Sequence, residues 1–461
     1  MTKTAVAIIG GGISGLSAAF ALHKQGRPYL VLEAGDRLGG VIRTETRDGF
    51  LLEGGPDSIL AQKPQGIALC RELGLGERLV PTNPHARAVY VLHRGTLHPL
   101  PDGMMLAVPT KVLPFLRSSL FSWPGKLRMG LDLVRPGRNG SDDESIASFL
   151  RRRFGQEAVD RLGEPLLAGI HAGDPERLSI LATFPRFREL EKAHGSLVRG
   201  AWAAPRPKRG NGPPPAAFYS LRGGLVELVT ALAARLDAAS LRTRSVVRQV
   251  ARDPGGFALE LASGERVLAA SVVIAAPGPR IAPALEPLVP AAARTLGAVP
   301  FASSATVLVG LRRQDVRHPL DGYGLVVPAG EKLRTSALSF VSTKLPFRAP
   351  EGHVLLRGFL GGVRDPSALS LTDDEMIETV MREMSGVLGL AGRPVTTRVF
   401  RWPSATPQLE VGHLERMRAV EREMAEVPRL FLTGAGVRST GIPDSVADGT
   451  RAGEAAAEAT R

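Results

Sequence analysis

The sequence predicts an α/β fold built on a parallel sheet, and three observations carry that expectation. Residues 5–9 form a short apolar run leading into the cluster Gly10-Gly11-Gly12-Ile13-Ser14-Gly15. A helical stretch follows, with Leu16, Ala19, Phe20 and Ala21 on one face and Gly26 placed to end it, as a C-terminal glycine does. Residues 29–32 then read as a second strand. Strand, glycine turn, helix and strand make a βαβ unit, whose crossover runs its strands parallel.

Later elements follow in order. Between residues 101 and 140, Met104, Met105, Leu113, Phe115, Leu116, Phe121 and Trp123 are punctuated by Lys111, Arg117, Lys126 and Arg128. Such a list suits an interfacial surface or a plain helical core. Helical patterns mixed with charge continue to about residue 197, and the proline-rich stretch at 205–215 is a loop or linker by composition. From Gly223 the α/β texture returns: an amphipathic helix at 225–236, a strand at 244–250, and a hairpin of 257–261 with 267–275. Strand-like runs at 306–311 and 354–359 and a helix at 373–388 come next. The chain ends, from Arg429, as strand, glycine-rich turn and alanine-rich helix.

With 461 residues, two or three cores are expected. Cys70 is the single cysteine, so no internal disulfide forms and metal sites built on cysteine pairs are excluded. The net charge of +13 admits nucleic acid, anionic lipid, an acidic substrate or merely an arginine-rich surface. Nucleic acid is not expected: no basic block is interleaved with aromatics, which make up only 5% of the chain. No run of 18 uninterrupted apolar residues occurs, so no bilayer-spanning helix is expected. The apolar N-terminus carries glycines in a patterned array and reads as folded structure rather than a cleaved leader.

Gly10, Gly12 and Gly15 fit G-x-G-x-x-G. The first glycine permits a tight turn, the second lets backbone approach a pyrophosphate, and the third allows close helix–strand packing. The helix then aims free N–H groups at the phosphates. Glu33, followed by Ala34, lies 18 residues beyond Gly15 at the end of the second strand, where its carboxylate can accept from ribose hydroxyls. This fingerprint does not choose between NAD and FAD. Two further glycine pairs follow, in Arg37-Leu38-Gly39-Gly40 and Glu53-Gly54-Gly55-Pro56-Asp57-Ser58, and let backbone lie against a flat ring system. At the C-terminus Thr440-Gly441-Ile442-Pro443-Asp444 opens a helix with proline in its first turn. Such a helix end against a flavin would stabilise negative charge arriving with a hydride.

The stretch E-A-G-D-R-L-G-G resembles the second FAD motif of the amine oxidase and phytoene desaturase superfamily. The resemblance implies FAD as cofactor, with Arg37 and Gly40 near the pyrophosphate and residues 54–58 along the isoalloxazine. Further stretches narrow it to the bacterial protoporphyrinogen/coproporphyrinogen oxidases: EGGPDS at 53–58, EPLLAGIHAGD at 164–174, LSILATFP at 178–185, LRGGL at 221–225, RWPSATPQLEVGH at 401–413 and GIPD at 441–444.

That family implies a discontinuous, Rossmann-like FAD-binding domain of the two-dinucleotide type (1–85, 218–285 and 403–461). It implies an α+β substrate domain (86–103 and 286–402) and a mostly helical, membrane-facing domain (104–217). The implied substrate is an anionic tetrapyrrole that loses six hydrogens, with oxygen as acceptor and hydrogen peroxide as product. The cofactor carries the chemistry, so no catalytic acid, base or metal ligand is assigned.

Arg87 resembles the arginine that pairs with a propionate, Gly169 a backbone position against the macrocycle, and Phe359 an aromatic packed on it. Val247 resembles the adenine-side contact and Trp402 a flavin-proximal one. The resemblance fits a cytoplasmic enzyme, with peripheral membrane contact, hand-over to a ferrochelatase and a homodimer as further expectations. Protoporphyrinogen IX and coproporphyrinogen III both remain open as substrates. So do a neighbouring flavin amine oxidase or desaturase, and a redox-silent porphyrin carrier. His171 departs from the family's usual aromatic, the 436–440 loop lacks an aromatic, and Ser445 stands where cysteine is common.

Overall fold

Thr2–Ile9 is an inner strand of a seven-stranded sheet, flanked in parallel by Tyr29–Leu32 and Arg266–Ile274. The structure, a computed structural model, describes residues 2–138, 140, 142–203, 216–438 and 440–460. Val6, Ala7 and Ile8 have no exposed surface. Alternate side chains enter two cores, Val6 and Ile8 on one face of the sheet and Ala7 and Ile9 on the other. Covering on both faces is why this strand is continuously apolar rather than alternating. Leu241–Arg242 extends one edge, and the antiparallel pair Gly256–Leu261 and Val247–Asp253 extends the other. Leu430–Leu432, near the C-terminus, joins Arg266–Ile274 in parallel.

The strand expected at 244–250 begins later, at Val247. Arg244 takes a left-handed φ of 53°, and its N–H donates to the Gly35 carbonyl instead of to a ladder. The linker expected at 205–215 lies outside the described residues.

Helix Ile13–Lys24 leaves the glycine turn and packs directly against the C-terminal helix Ile442–Ala459. A Cβ on Gly449 would stand 2.2 Å from the Ser14 carbonyl oxygen, and one on Gly453 2.4 Å from that of Ala18. Only hydrogen fits at either contact, so backbone meets backbone.

A second seven-stranded sheet, mostly antiparallel, has the order Thr396–Pro407, Phe301–Arg312, His353–Gly361, Ala337–Phe340, Gly322–Val326, Ala88–His93, Thr96–Pro99. Helix Asp373–Leu388 covers one face with Met376, Val380, Met384 and Leu388. Its start is fixed by a capping box between Thr372 and Glu375. The opposite face contributes Val91, Val326, Ala337 and Phe359 to the core of a helical region.

That region includes the helices Val112–Arg117, Trp123–Gly130, Ile146–Phe154, Glu164–His171, Pro185–His194 and Leu197–Ala203. Phe115, Leu120, Phe121 and Met129 are buried, whereas Val112, Leu113, Trp123, Leu127 and Val134 are exposed, Val134 by 76%. The segment thus supplies both a core and an apolar surface strip. Arg153, only 1% exposed, is held by the carboxylates of Asp132 and Glu191. Among the described residues no helix is long and apolar enough to cross a membrane.

Candidate FAD and substrate site

The first helix begins at Gly12, with no side-chain cap and no acidic residue in its first turn. Its leading N–H groups are therefore free for an anion. A Cβ on Gly12 would meet nothing within 4 Å, so space opens in front of the helix end. Gly15 is the opposite case: a Cβ there would lie 1.9 Å from the Gly10 carbonyl oxygen. Gly10 itself has φ of 110°, the conformation that turns the strand into the helix. Ile13 packs against the adjoining core and Ser14 is buried.

Glu33 ends the second strand with its carboxylate over this turn. Its Oε2 accepts from the Gly11 N–H at 2.6 Å and its Oε1 from the Gly35 N–H at 2.7 Å. Ala34 is exposed beside it. The Ser245 N–H donates to the Glu33 carbonyl at 2.8 Å, which brings the start of the Val247 strand alongside. Val247, two residues beyond Ser245, thus starts its strand near Glu33 and Ala34. Gly40 faces the same space: the nearest atom to a Cβ there is the Gly12 Cα, at 3.4 Å.

Arg37 does something that sequence reading did not anticipate. Its guanidinium donates to the carbonyls of Leu38, at 3.1 Å, Ile42, at 3.0 Å, and Gly40. It ties the loop from within. Burial, then the neighbouring Arg43 cation, lower its pKa.

The Gly54–Ser58 segment packs against the second sheet. Trp402, on an edge strand of the second sheet, donates from Nε1 to the Gly54 carbonyl at 2.9 Å. A Cβ on Gly54 would collide with the Phe400 ring at 2.7 Å, and Phe400 stacks with Trp402 at an interplanar angle of 13°. The Gly55 carbonyl accepts from Arg357. Beyond Pro56, the Asp57 carboxylate accepts from Lys344 at 2.8 and 3.0 Å and from the Ser58 hydroxyl at 2.7 Å. Burial alone would raise the Asp57 carboxyl, but the Lys344 ammonium and the Arg357 guanidinium hold it well below the usual carboxylate range.

Gly169 and Phe359 converge on one face of the second sheet. A Cβ on Gly169 would rest 3.5 Å from the Ala337 Cβ, and Ala337 is the ladder partner of Phe359. Arg357, two residues before Phe359 on the same strand, shares that face and lays its guanidinium over the Phe359 ring at 4.8 Å. Arg87 precedes strand Ala88–His93, exposed and without an ion-pair partner among the described residues. His171 ends helix Glu164–His171 edge-on to Phe184, with ring centroids 5.8 Å apart, and burial lowers its pKa to about 4. It is a neutral imidazole at neutral pH.

Gly441 caps the C-terminal helix without a side-chain hydrogen bond, and Thr440 precedes it. Ile442 is buried at the first helical position. This second helix end carries Asp444 in its first turn, paired with Lys63, and farther along Asp448 accepts from the Thr433 hydroxyl at 2.9 Å and from Arg438 and Arg451. Arg357, Lys344 and the buried pair Glu53–Arg348 went unseen in the sequence, where only their charge was visible. No local pattern links Arg357 to Gly55, 302 residues away.

A glycine-led helix end with free N–H groups, a carboxylate over its turn and open space in front of Gly12 are what a dinucleotide needs. The fold and this site define a class of FAD-binding flavoproteins with a second, mostly antiparallel sheet. The chain matches the family of flavin containing amine oxidoreductases over residues 13–459 and belongs to it. It is 36% identical to a coproporphyrinogen III oxidase of Bacillus subtilis, covering 98% of this chain and 97% of that one. It is 33% identical to the chloroplastic protoporphyrinogen oxidase of Nicotiana tabacum, over 93% of this chain and 80% of the relative. A crystal structure from Exiguobacterium sp. 255-15, of a protein named for protoporphyrinogen oxidase, superposes with a TM-score of 0.86 at 31% identity and 98% coverage of both chains.

Proposed function

We propose that this protein is an FAD-dependent porphyrinogen oxidase of haem biosynthesis, and that it prefers the more anionic substrate, coproporphyrinogen III. Three oxygen molecules take six hydrogens from each porphyrinogen and leave as three hydrogen peroxides. When bound, FAD supplies the hydride acceptor. Everything else falls to the chain: Gly10–Gly15 and Glu33 hold the dinucleotide, and residues 54–58 with Trp402 back the ring system. The observation that carries the reading is that Arg357, on the sheet face it shares with Gly169 and Phe359, donates to the Gly55 carbonyl, within the segment read here as backing the ring system. A macrocycle on that face lies against whatever the cradle holds.

No carboxylate or imidazole is assigned as base. A bridging carbon that loses hydride leaves an electron-rich, stabilised cation, whose N–H protons pass to solvent. The roles of Arg87, Gly169, Phe359, Val247 and the glycine segments belong to this proposal, as do the three domain ranges. The net charge of +13 draws a polyanionic substrate. The exposed strip of Val112, Leu113, Trp123, Leu127 and Val134, beside Lys111, Arg117 and Arg128, supports shallow contact with the cytoplasmic membrane surface and hand-over of a hydrophobic porphyrin to a ferrochelatase.

Following the rise of porphyrin fluorescence with each substrate tests the assignment. The FAD-loaded protein should oxidise coproporphyrinogen III at least several-fold faster than protoporphyrinogen IX, consuming oxygen as it does. Flavin reduced by neither substrate would favour a porphyrin carrier. Arg87→Ala should raise KM for the tetrapyrrole while FAD content stays intact, and an unchanged KM would remove Arg87 from the site.

A further inference from the structure

We propose that Asp57, Lys344 and Arg357 form a buried charge cluster whose uncompensated positive charge raises the redox potential of the bound flavin. The inference rests on the flavin reading above and adds a function to Asp57 and to Lys344 and Arg357, the last two of which lie outside the dinucleotide motifs. Three separate elements build the cluster: the loop after Phe50–Glu53, the short helix Val341–Lys344 and the strand His353–Gly361. Lys344 Nζ stands 2.8 Å from Asp57 Oδ1 and 3.1 Å from the Ser58 hydroxyl. Arg357 Nη1 stands 3.8 Å from Asp57 Oδ2, while Nη2 donates to the Gly55 carbonyl. The side chains of Lys344, Asp57 and Arg357 are 14%, 12% and 7% exposed.

The charges around them do not cancel. Glu53 and Arg348 adjoin the cluster as a fully buried pair at 3.2 Å. Among the described residues Lys344, Arg348 and Arg357 face Glu53 and Asp57, and Glu227, the further acid near Arg348, is itself taken by Arg78, which leaves an excess of one positive charge. Burial pushes the Glu53 carboxyl up, so the excess does not fall below one. The Nε of Arg357 is buried with no partner.

A loop could be pinned by the Lys344–Asp57 bridge alone. Adding a second buried cation with an idle donor is costly unless negative charge develops nearby. The segment that Arg357 grips is the one expected along the ring system, where reduction places an extra negative charge. In a site of low dielectric such a field reaches several ångströms.

The test compares flavin midpoint potentials of FAD-loaded wild type, Arg357→Met, Lys344→Met, Arg357→Lys and Asp57→Asn. The potential, read on the FAD-loaded fraction of each variant, should fall in both methionine variants, rise in Asp57→Asn and stay near wild type in Arg357→Lys. A purely structural cluster would shift all of them in one direction or none, and either result overturns the proposal. Should a methionine variant fail to fold, Asp57→Asn against Arg357→Lys decides by the same opposition. Wild-type protein that binds no FAD would instead overturn the flavin reading, and this inference with it.

Discussion

A methyl group on Gly15 would sit 1.9 Å from the Gly10 carbonyl oxygen, closer than any relaxation of one turn can absorb. Gly15→Ala must push the helix from its strand, and overpacking of this kind costs about 1–3 kcal/mol or more. FAD content of the purified variant, read from its visible absorbance, should fall to a small fraction of wild type. Gly12→Ala meets no protein atom and should fold normally, yet its methyl occupies the cradle. Its FAD dissociation constant should rise at least tenfold with the melting temperature of the apoprotein unchanged. Together the two variants separate a glycine needed by the fold from one needed by the ligand.

His171 carries a pH dependence of its own. Its folded pKa, lowered by burial to about 4, lies below the ordinary imidazole value of about 6.5. Unfolded chains therefore take up the proton first. The stability that His171 contributes as a neutral ring is complete above about pH 6.5 and is lost as pH falls towards about 4. Denaturant midpoints measured across that window should decline less steeply in His171→Phe.

At the scale of elements, the glycine turn, its helix and Glu33 were legible in the sequence because their spacing is local and each residue type has one evident reason to be there. The packing of Ile442–Ala459 on Ile13–Lys24 was not. Gly449 and Gly453 look like helix weakeners in an alanine-rich run, and only the contact with Ser14 and Ala18 explains them. Gly453→Val should separate the two helices, lower the melting temperature by several degrees and weaken FAD binding, since the first helix carries the Gly12 end. The 101–140 segment shows the converse limit. Its composition allowed core or surface, and the fold uses it as both, because a short amphipathic helix buries one side only.

Over the whole molecule, carboxylates whose pKa is held down dominate the acid response. Arg398 and Arg43 act on Glu45, Lys344 and Arg357 on Asp57, Arg152 on Glu191, and Arg334 on Asp365. A carboxylate with a depressed folded pKa stabilises above the unfolded value and ceases to do so as pH falls past it. The carboxylate contribution should therefore hold steady from neutrality to about pH 5 and drop steeply below about pH 4, the ordinary carboxylate range, on top of the earlier and shallower loss that His171 causes. Urea midpoints at pH 7, 5 and 3.5 check this; an equal midpoint at pH 3.5 would contradict it.

By itself the sequence determined the α/β class, the dinucleotide turn, the carboxylate above it and the flavin character of the chain. The first three depend on backbone geometry within a few dozen residues, which residue type and spacing dictate directly; the flavin character is what the resemblance to the family implies. Only the tertiary structure decided that Arg37 ties its own loop, that Trp402 holds Gly54, and that Arg357, Lys344 and Asp57 share one buried seam. Apart from the Arg37 loop, those contacts join segments about three hundred residues apart, and which charge meets which is settled by tertiary packing, a matter on which neighbouring residues are silent.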